Sequence, residues 1–390
     1  MSTRTGLAKR VSNYELFFDL AFVLALRELN GSLHMEHISL QNVLVFAMAN
    51  IVLMNIWFNE VLYYQKYGDS RRIDIYTVIG LMFVVGHLGM SLNFDTASLL
   101  PGSSVVIQFN GLLFVAYGII LLQYWLKGRQ LGFNRDMKLS MLSLGLYMVV
   151  LLPFITGLLG WGPWMMFVFV FPVFLPMILS FFYKEQEELP TNFPHAVERG
   201  QLITILSFGE SVIAIIGTYS LGEHLLWSAL LFFGMACMFI NYMSQTFLGV
   251  DHHSKRPVGF LFYLHLMIVM GINMFTVSTE LLADSHHAVL GHWMLVAGVT
   301  LFYLGTYGTT VFNQAMYRLR KEDQLILWGL ILATVLALVF VGTNVLGIGL
   351  ALIIGSYALG FYFYIFRIKV RRLHQVPQPD PRSNPRDFSK

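Results

Sequence analysis

The stretch YELFFDLAFVLAL, residues Tyr14 to Leu26, has the apolar character of a membrane-spanning helix but contains two carboxylates. Glu15 and Asp19 are four residues apart, so in a helix both side chains project from the same face. A charge near the centre of a bilayer is costly, and such groups usually face a bundle interior or a cavity. The stretch therefore predicts a first helix whose acidic stripe faces other helices and not lipid.

The composition of the whole chain indicates an integral membrane protein. Of 390 residues, 56% are hydrophobic and only 12% are charged, whereas soluble domains have roughly 25% charged residues. The net charge of +3 comes from basic residues spread along the chain, so no nucleic-acid partner is expected. No small-residue cleavage site follows the first apolar run, which we interpret as a retained span and not as a signal peptide.

Apolar segments of ~20 residues, long enough to cross a bilayer, recur along the chain. We predict twelve spans, at about 13–33, 39–64, 73–94, 103–126, 138–158, 162–183, 196–220, 224–248, 257–282, 288–312, 323–345 and 347–368. Lysine and arginine concentrate in cytoplasmic loops, and here they lie in or directly beside the segment before span one, the loops after even-numbered spans and the C-terminal segment. Of the 25, only Arg27 lies elsewhere. Both termini are therefore predicted in the cytoplasm, and the protein in the cell membrane.

The two halves of the chain share a pattern that predicts an internal repeat. Phe18-Asp19-Leu20 in span one aligns with Gly209-Glu210-Ser211 in span seven. Six spans per half is an even number, so the halves would have the same orientation, as in parallel transporter repeats. We predict an all-α protein with a first six-helix repeat at 1–190, a second at 191–374 and a disordered cytoplasmic tail at 375–390.

Two longer motifs carry a resemblance to a known family. They are VSNYELFFDLAFVLAL near the start of the chain, and His195-Ala-Val-Glu198-Arg199 followed by Phe208-Gly209-Glu210-Ser211. In these motifs, in length and in number of spans, the chain resembles the bacterial low temperature requirement A (LtrA) family. The resemblance implies a multi-pass membrane protein named for a cold-growth phenotype. It does not imply a biochemical activity.

Acidic residues inside the predicted spans are the leading candidates for transport coupling. Asp19 lies one turn deeper in span one than Glu15, and Glu210 lies near the middle of span seven. The hydroxyl side chains expected to surround Glu210 are Thr204, Ser207 and Ser211. The alternative for each acid is a structural ion pair or hydrogen-bond hub that only holds helices together.

Arg199, near the start of span seven, is expected to bind an acid across a helix interface. Glu210 is ~16 Å from it along the helix axis, so Glu198, Glu15 and Asp19 are the expected partners. Glu15, Glu198 and Arg199 would then form a cytoplasmic mouth or a charge lock.

Seven further polar residues are candidates for lining a pathway through the membrane. They are His195, Asn59, Glu60, His87, His265, Asn273 and Glu280. Hydrogen bonds between helices explain the same residues without a pathway. A single histidine on an apolar helix is also more often a satisfied interior residue than a ligand.

Clustered histidines raise the alternative of a metal centre, which the predicted topology opposes. Those that map outside are His34, His37, His286, His287 and His292, and those that map inside are His252 and His253. One metal centre cannot bridge ~30 Å of hydrocarbon, so no metal or other cofactor is predicted, although an external metal or pH site stays open. The chain has no HExxH, GxSxG or Walker motif, so we do not expect an enzyme.

The leading functional prediction is a transporter or ion pathway for protons or small cations, coupled through Asp19 and Glu210. The alternative is a non-transporting membrane scaffold, or a protein that responds to lipid order in the cold. A third hypothesis is an intramembrane enzyme that acts on lipid. The lipid bilayer is the expected partner, and assembly into a homo-oligomer is left open.

Overall fold

The protein is all-helical in the part of the chain that the structure describes. The computed structural model describes residues 10–93, 95–162, 167, 170–174, 192–220, 222, 224–254, 256 and 258–378. The eleven α-helices in these ranges are α1 (Asn13–Gly31), α2 (Leu40–Lys66), α3 (Arg72–Met90), α4 (Ser104–Leu131), α5 (Arg135–Ile155), α6 (Phe193–Thr218), α7 (Leu225–Met243), α8 (Val258–Leu281), α9 (Ala288–Gly308), α10 (Lys321–Val341) and α11 (Val345–Leu373). Short helical turns join some of them, and the described ranges contain no strand beyond one isolated bridge between Val250 and Asn313.

Most of these helices can cross a membrane. Ten of the eleven helices in the described ranges are long and apolar enough to do so, which confirms apolar helices at predicted spans two to five and seven to twelve. The exception is α1, because Glu15, Asp19, Arg27 and Glu28 fall within its 19 residues. Predicted span six, 162–183, and the predicted tail lie mostly outside the described residues. The twelve-helix fold therefore stays a prediction.

A capping box determines where α1 begins and how Glu15 is oriented. The backbone N–H of Glu15 donates to the Ser12 hydroxyl at 3.3 Å, and Glu15 Oε2 accepts from the Ser12 backbone N–H at 2.9 Å. This reciprocal pair satisfies two of the backbone donors that a helix start leaves unbonded. It also holds Glu15 through Oε2 and leaves Oε1 free to bind other groups.

The chain divides into two compact units, and the first contains the acidic stripe of α1. The N-terminal unit comprises residues 10–199 and 257–260. In it, α3 packs against both α1 and α4, and α4 packs against α5. Helix α2 is the most enclosed of its apolar helices, with 67% of its apolar window buried against 22% for α5. Polar side chains on α2 are therefore placed in the interior of the protein.

Helices α1 and α3 approach each other closely because a glycine lies at their contact. A Cβ atom on Gly89 of α3 would lie 2.6 Å from the Cα of Ala25 on α1. Only a residue without a side chain fits this distance. Small residues at a helix interface are common in membrane proteins, where packing and not hydrophobic burial drives helix association.

The C-terminal unit, residues 200–256 and 261–390, has its own apolar and aromatic core. Helix α11 packs against α7 and α10, and α9 packs against α10. Helices α8 and α9 meet at a second glycine contact, since a Cβ on Gly271 would lie 2.6 Å from the backbone oxygen of Gly298. Each unit is held by close helix packing, and their relation as two six-helix repeats stays a prediction.

Candidate functional site

A fully buried ion-pair cluster joins α1 to the start of α6 in the N-terminal unit. Glu15, Asp19 and Arg199 are each 0% exposed. Arg199 Nη1 lies 2.9 Å from Glu15 Oε1, and Arg199 Nη2 lies 2.6 Å from Asp19 Oδ1. Because the two carboxylates are one helical turn apart, one planar guanidinium binds both through separate N–H groups. The expected contact of Arg199 with Glu15 and Asp19 is confirmed, and the acidic stripe of α1 faces protein.

Two aromatic side chains complete the surroundings of this cluster. Trp57 Nε1 on α2 donates to Asp19 Oδ1 at 2.8 Å, and Arg199 Cζ lies 6.0 Å from the centre of the Trp57 ring. His195 Nε2 lies 2.9 Å from Glu15 Oε1. By contrast, Asp19 Oδ2 has no hydrogen-bond partner among the described residues. The cluster therefore has one buried carboxylate oxygen available to a proton, a water molecule or an ion.

The net charge of the cluster depends on one proton. Arginine does not lose its charge in proteins, so Arg199 neutralises only one of the two carboxylates, Glu15 and Asp19. The remaining charge is balanced when His195 or a carboxyl group takes up a proton, and histidine is the side chain that does so most readily near neutral pH. Because a buried uncompensated charge is costly, this arrangement is chemically suited to binding and releasing one proton.

A second buried network runs from α2 to α3 and α4 in the same unit. Gln123 Nε2 on α4 donates to Glu60 Oε1 on α2 at 3.0 Å and to Thr77 Oγ1 on α3 at 2.9 Å. Glu60 and Gln123 are each 0% exposed. Glu60, a predicted pathway residue, therefore lies in a polar interior that three helices share.

An ion-pair network lies at the N-terminal end of α3. Asp74, fully buried, accepts a hydrogen bond from the Tyr63 hydroxyl at 2.6 Å and lies 3.5 Å from Lys127 Nζ. Lys127 Nζ is also 2.9 Å from Asp69 Oδ1 in the α2–α3 loop. Lys127 therefore links a buried carboxylate to a partly exposed one.

Sequence reasoning missed Asp74, Gln123 and Lys127. Ending span four at 126 assigns Lys127 to a loop, whereas α4 continues to Leu131 and Lys127 is buried. The available signal was the four-residue spacing of Gln123 and Lys127, which places both side chains on one face of a helix.

A cavity of about 690 Å³ reaches this network from the α2–α3 loop, and Asp69, Arg71 and Lys127 are among its lining residues. Partial burial raises the pKa of Asp69, but hydrogen bonding and the Lys127 charge outweigh it and lower that pKa from 3.8 to about 2. Asp69 is therefore an ionised group at neutral pH, placed where the cavity meets the buried network.

Glu210, the leading candidate of the second half, is half-buried in the middle of α6. The three hydroxyls expected around it each form a hydrogen bond with another group in the described structure. Thr204 and Ser207 donate to backbone carbonyls one turn earlier, and Ser211 pairs with Thr276 on α8 at 2.7 Å. These hydroxyls satisfy the backbone or connect α6 with α8, because a hydroxyl inside an apolar helix bonds the nearest available oxygen.

The two histidines predicted at membrane depth have different surroundings. His265 is fully buried in α8, with Nε2 3.0 Å from the Tyr242 hydroxyl and Nδ1 2.8 Å from the backbone oxygen of Leu261. Both ring nitrogens are therefore engaged, as in a structural interior residue. His87 is exposed on α3 and lines a separate cavity of about 530 Å³.

The remaining candidate residues lie on three different helices. Asn59 is buried in α2 and donates to the backbone oxygen of Asn55 at 2.7 Å. Asn273 is buried in α8, whereas Glu280 on α8 and Glu198 on α6 are half-buried. Asn59 Nδ2 also lies 3.2 Å from Asn55 Oδ1, so the two amides share one face of α2.

The histidines expected outside the membrane differ in their exposure and in their partners. His287 Nδ1 lies 2.7 Å from Asp284 Oδ2 in an exposed loop, and this hydrogen bond lowers the pKa of Asp284. His292 is buried in α9, with Nε2 3.0 Å from the backbone oxygen of Leu338. In the described ranges, no group of three or more His, Cys, Asp and Glu side chains is arranged to hold a metal ion.

The comparison with protein families supports the sequence motifs. The family model described as Bacterial low temperature requirement A protein (LtrA) matches residues 10–359. This range includes the acidic stripe of α1, Arg199 and Glu210. No match is found among curated proteins. Because the family match covers nearly the whole chain, the protein, with its many apolar helices, is a membrane protein that belongs to the LtrA family.

Proposed function

We propose that the protein transports protons or small cations across the cell membrane. The observation that supports this function is the fully buried cluster of Glu15, Asp19 and Arg199, which holds two acids against one fixed cation. Ionisable groups inside membrane proteins commonly belong to proton relays and ion pathways. The cluster is the part of the described structure best suited to exchange a charge.

The ion pairs offer a way to couple protonation to helix movement. A proton on Asp19 removes the charge of its carboxylate and weakens the ion pair with Arg199. The contact between α1 and the start of α6 is then weaker. Loss of the proton restores the 2.6 Å contact. A ligand that binds one of two conformations better shifts the equilibrium between them, and here that ligand is the proton.

Glu210 is the second coupling acid in this proposal, in the helix that corresponds to α1 in a second six-span repeat, with Ser211 beside it. Both termini lie in the cytoplasm, as the loops rich in lysine and arginine predict. The lipid bilayer is the partner, no cofactor is required, and the protein is not an enzyme. The same residues would serve in a channel or in a carrier.

The test is proton and cation flux into liposomes that contain the purified protein. We expect wild-type protein to show flux and the Asp19→Asn and Glu210→Gln variants to lose most of it. Glu36→Gln, an equivalent change at an exposed loop position, is the matched control and should keep the wild-type rate. Wild-type flux in folded Asp19→Asn and Glu210→Gln proteins would remove the assignment of these two acids.

A non-transporting scaffold is the second candidate function. It is favoured by the C-terminal unit, where buried polar side chains form hydrogen bonds across helices. Ser211 pairs with the Thr276 hydroxyl, and Asn241 donates to the backbone oxygen of Ser356. Such pairs stabilise helix contacts by ~0.6–2 kcal/mol each. If folded wild-type protein shows no flux under any cation or pH gradient, that result would favour a non-transporting scaffold or a protein that responds to lipid order.

A further inference from the structure

Glu60 is a buried acid without a counter-ion in the part of the chain that the structure describes. Its side chain is 0% exposed, its Oε1 accepts one hydrogen bond from Gln123, and its Oε2 has no partner among the described residues. It forms no ion pair with any residue in the described ranges. In this it differs from Glu15 and Asp19, which share Arg199.

The residue that binds Glu60 has an unsatisfied atom of its own. Gln123 uses Nε2 for both Glu60 and Thr77, and its Oε1 has no partner among the described residues. Two buried acceptor oxygens therefore lie on two side chains that are bonded to each other. Buried polar atoms are nearly always paired, so unpaired ones call for a proton, a water molecule or an ion.

The electrostatic surroundings of Glu60 oppose a negative charge. The titratable groups that act on it are Glu15 of α1, Tyr63 and Tyr64 of α2, Asp74 of α3, Tyr124 of α4 and Arg199 of α6. Two of these are acids, and the one cation is already bound to Glu15 and Asp19. A buried acid in such a place takes up a proton and becomes neutral.

A line of polar groups connects Glu60 with the solution. From Gln123 it passes to Thr77, whose Oγ1 lies 3.3 Å from the backbone oxygen of Asp74. The Asp74 carboxylate forms an ion pair with Lys127. Lys127 also forms an ion pair with Asp69, which lines the cavity. A proton leaving Glu60 therefore has titratable groups between it and water.

We propose that Glu60 is a proton-binding site, neutral in the resting protein, which exchanges its proton with the solution through Asp74, Lys127 and the cavity at Asp69. Protonation of Glu60 rests on its full burial, its unpaired Oε2 and the lack of an ion-pair partner in the described ranges, and it does not depend on transport. Its part in transport rests on the function proposed above, where it would pass protons to or from the Arg199 cluster.

Infrared spectroscopy of the protein in liposomes tests the protonation directly. We expect the C=O stretching band of a protonated carboxyl group at neutral pH, with a shift in D₂O and a further shift when glutamate carries ¹³C in its carboxyl group. The band should disappear in Glu60→Gln and persist in the exposed control Glu36→Gln. A band that is absent from wild type, or unchanged in Glu60→Gln, overturns the proposal.

A second variant keeps the test decisive if Glu60→Gln fails to fold. Gln123→Leu removes the donor to Glu60, so it should move the glutamate band to a new position, whereas a band from Glu15 would stay where it is. If the band appears only when Na⁺ is replaced by a large organic cation, the site binds Na⁺ and the proton assignment is wrong.

The exchange route is tested by the rate at which the band shifts after transfer to D₂O. Asp74→Asn and Lys127→Met should slow that shift severalfold, and an unchanged rate in both overturns the route. Flux measured on the same liposomes separates the two proposals. A glutamate band without flux would support proton binding at Glu60 and overturn the transport proposal. Flux without the band would overturn proton binding at Glu60.

Discussion

Arg199 on α6 binds Asp19, which lies 180 residues earlier in the chain, with an Nη2–Oδ1 distance of 2.6 Å. Both side chains are fully buried, and the same guanidinium holds Glu15 at 2.9 Å. Removing one member of a buried pair leaves a desolvated charge without a partner, which costs far more than the pair contributes when intact. Arg199 is therefore required for the fold of this region as well as for its proposed chemistry.

Replacing Arg199 with glutamine should destabilise the protein strongly. Two buried carboxylates would lose the arginine that binds them both, and the expected loss is about 3–5 kcal/mol of unfolding free energy. Thermal unfolding in detergent, followed by tryptophan fluorescence, measures the effect. Arg372→Gln, the same change at an exposed position on α11, should leave the midpoint unchanged. Equal midpoints for both variants would contradict the role of Arg199.

Replacing Gly89 with alanine should separate α1 from α3. The new Cβ would lie 2.6 Å from the Cα of Ala25, and because that atom is backbone, the helices themselves must move. Overpacking of this kind costs about 1–3 kcal/mol. The control is Gly86→Ala on the same helix, where nothing lies within 4 Å of the new Cβ. If both variants unfold at the same temperature, the close contact is not as described.

Replacing Gly200 with alanine should displace the ring of His265. The new Cβ would lie 2.4 Å from His265 Nε2, and Tyr242 and the Leu261 carbonyl hold that ring in place. We expect a loss of about 1–3 kcal/mol, with Gly217→Ala on the same helix as the control, since its Cβ meets nothing within 4 Å. Differential scanning fluorimetry of the two purified variants makes the comparison, and a stable Gly200→Ala protein would count against a fixed His265.

The ion pair of Asp69 and Lys127 should contribute stability only above acidic pH. The folded pKa of Asp69 is about 2, below its ordinary value of 3.8, so the unfolded state binds a proton more readily. The contribution is therefore complete above the unfolded value and is lost as the pH falls through the folded value.

Unfolding of wild type and Asp69→Asn should differ at pH 7 by about 1 kcal/mol or less, because the pair is partly exposed. That difference should shrink as the pH approaches 3 and vanish near 2. Asp95→Asn, at an exposed position in the α3–α4 connection, should show no pH-dependent difference from wild type. A difference for Asp69→Asn that is constant with pH would contradict the ion pair.

Much of the fold could be predicted because helices in a membrane are specified locally. A backbone in hydrocarbon must satisfy its own hydrogen bonds, so a long apolar run such as Leu40–Lys66 indicates a helix without knowledge of its neighbours. The capping box of Ser12 and Glu15 is equally local, since its partners are three residues apart. The end of α4 was harder to predict, because a lysine at the end of an apolar run is assigned to a loop unless its acidic partners, Asp69 and Asp74, are known.

The candidate site was only partly predictable. The spacing of Glu15 and Asp19 showed that they share a face. The distance from Arg199 to Glu210 along one helix excluded that pair and left Glu198, Glu15 or Asp19 as the partner of Arg199. The network of Glu60 with Gln123 was not found, because α2 and α4 are brought together by packing and no spacing in the sequence encodes their contact.

The sequence by itself determined that this is a membrane protein of many apolar helices, that two acids lie on one face of α1, and which family the chain belongs to. Only the tertiary structure decided that Glu15 and Asp19 share Arg199, that Glu60 has no ion-pair partner in the described ranges, and that Thr204 and Ser207 donate to backbone carbonyls. The reason is that hydrophobicity and helical periodicity act within a single segment, whereas the partner of a buried charge depends on which helices pack together.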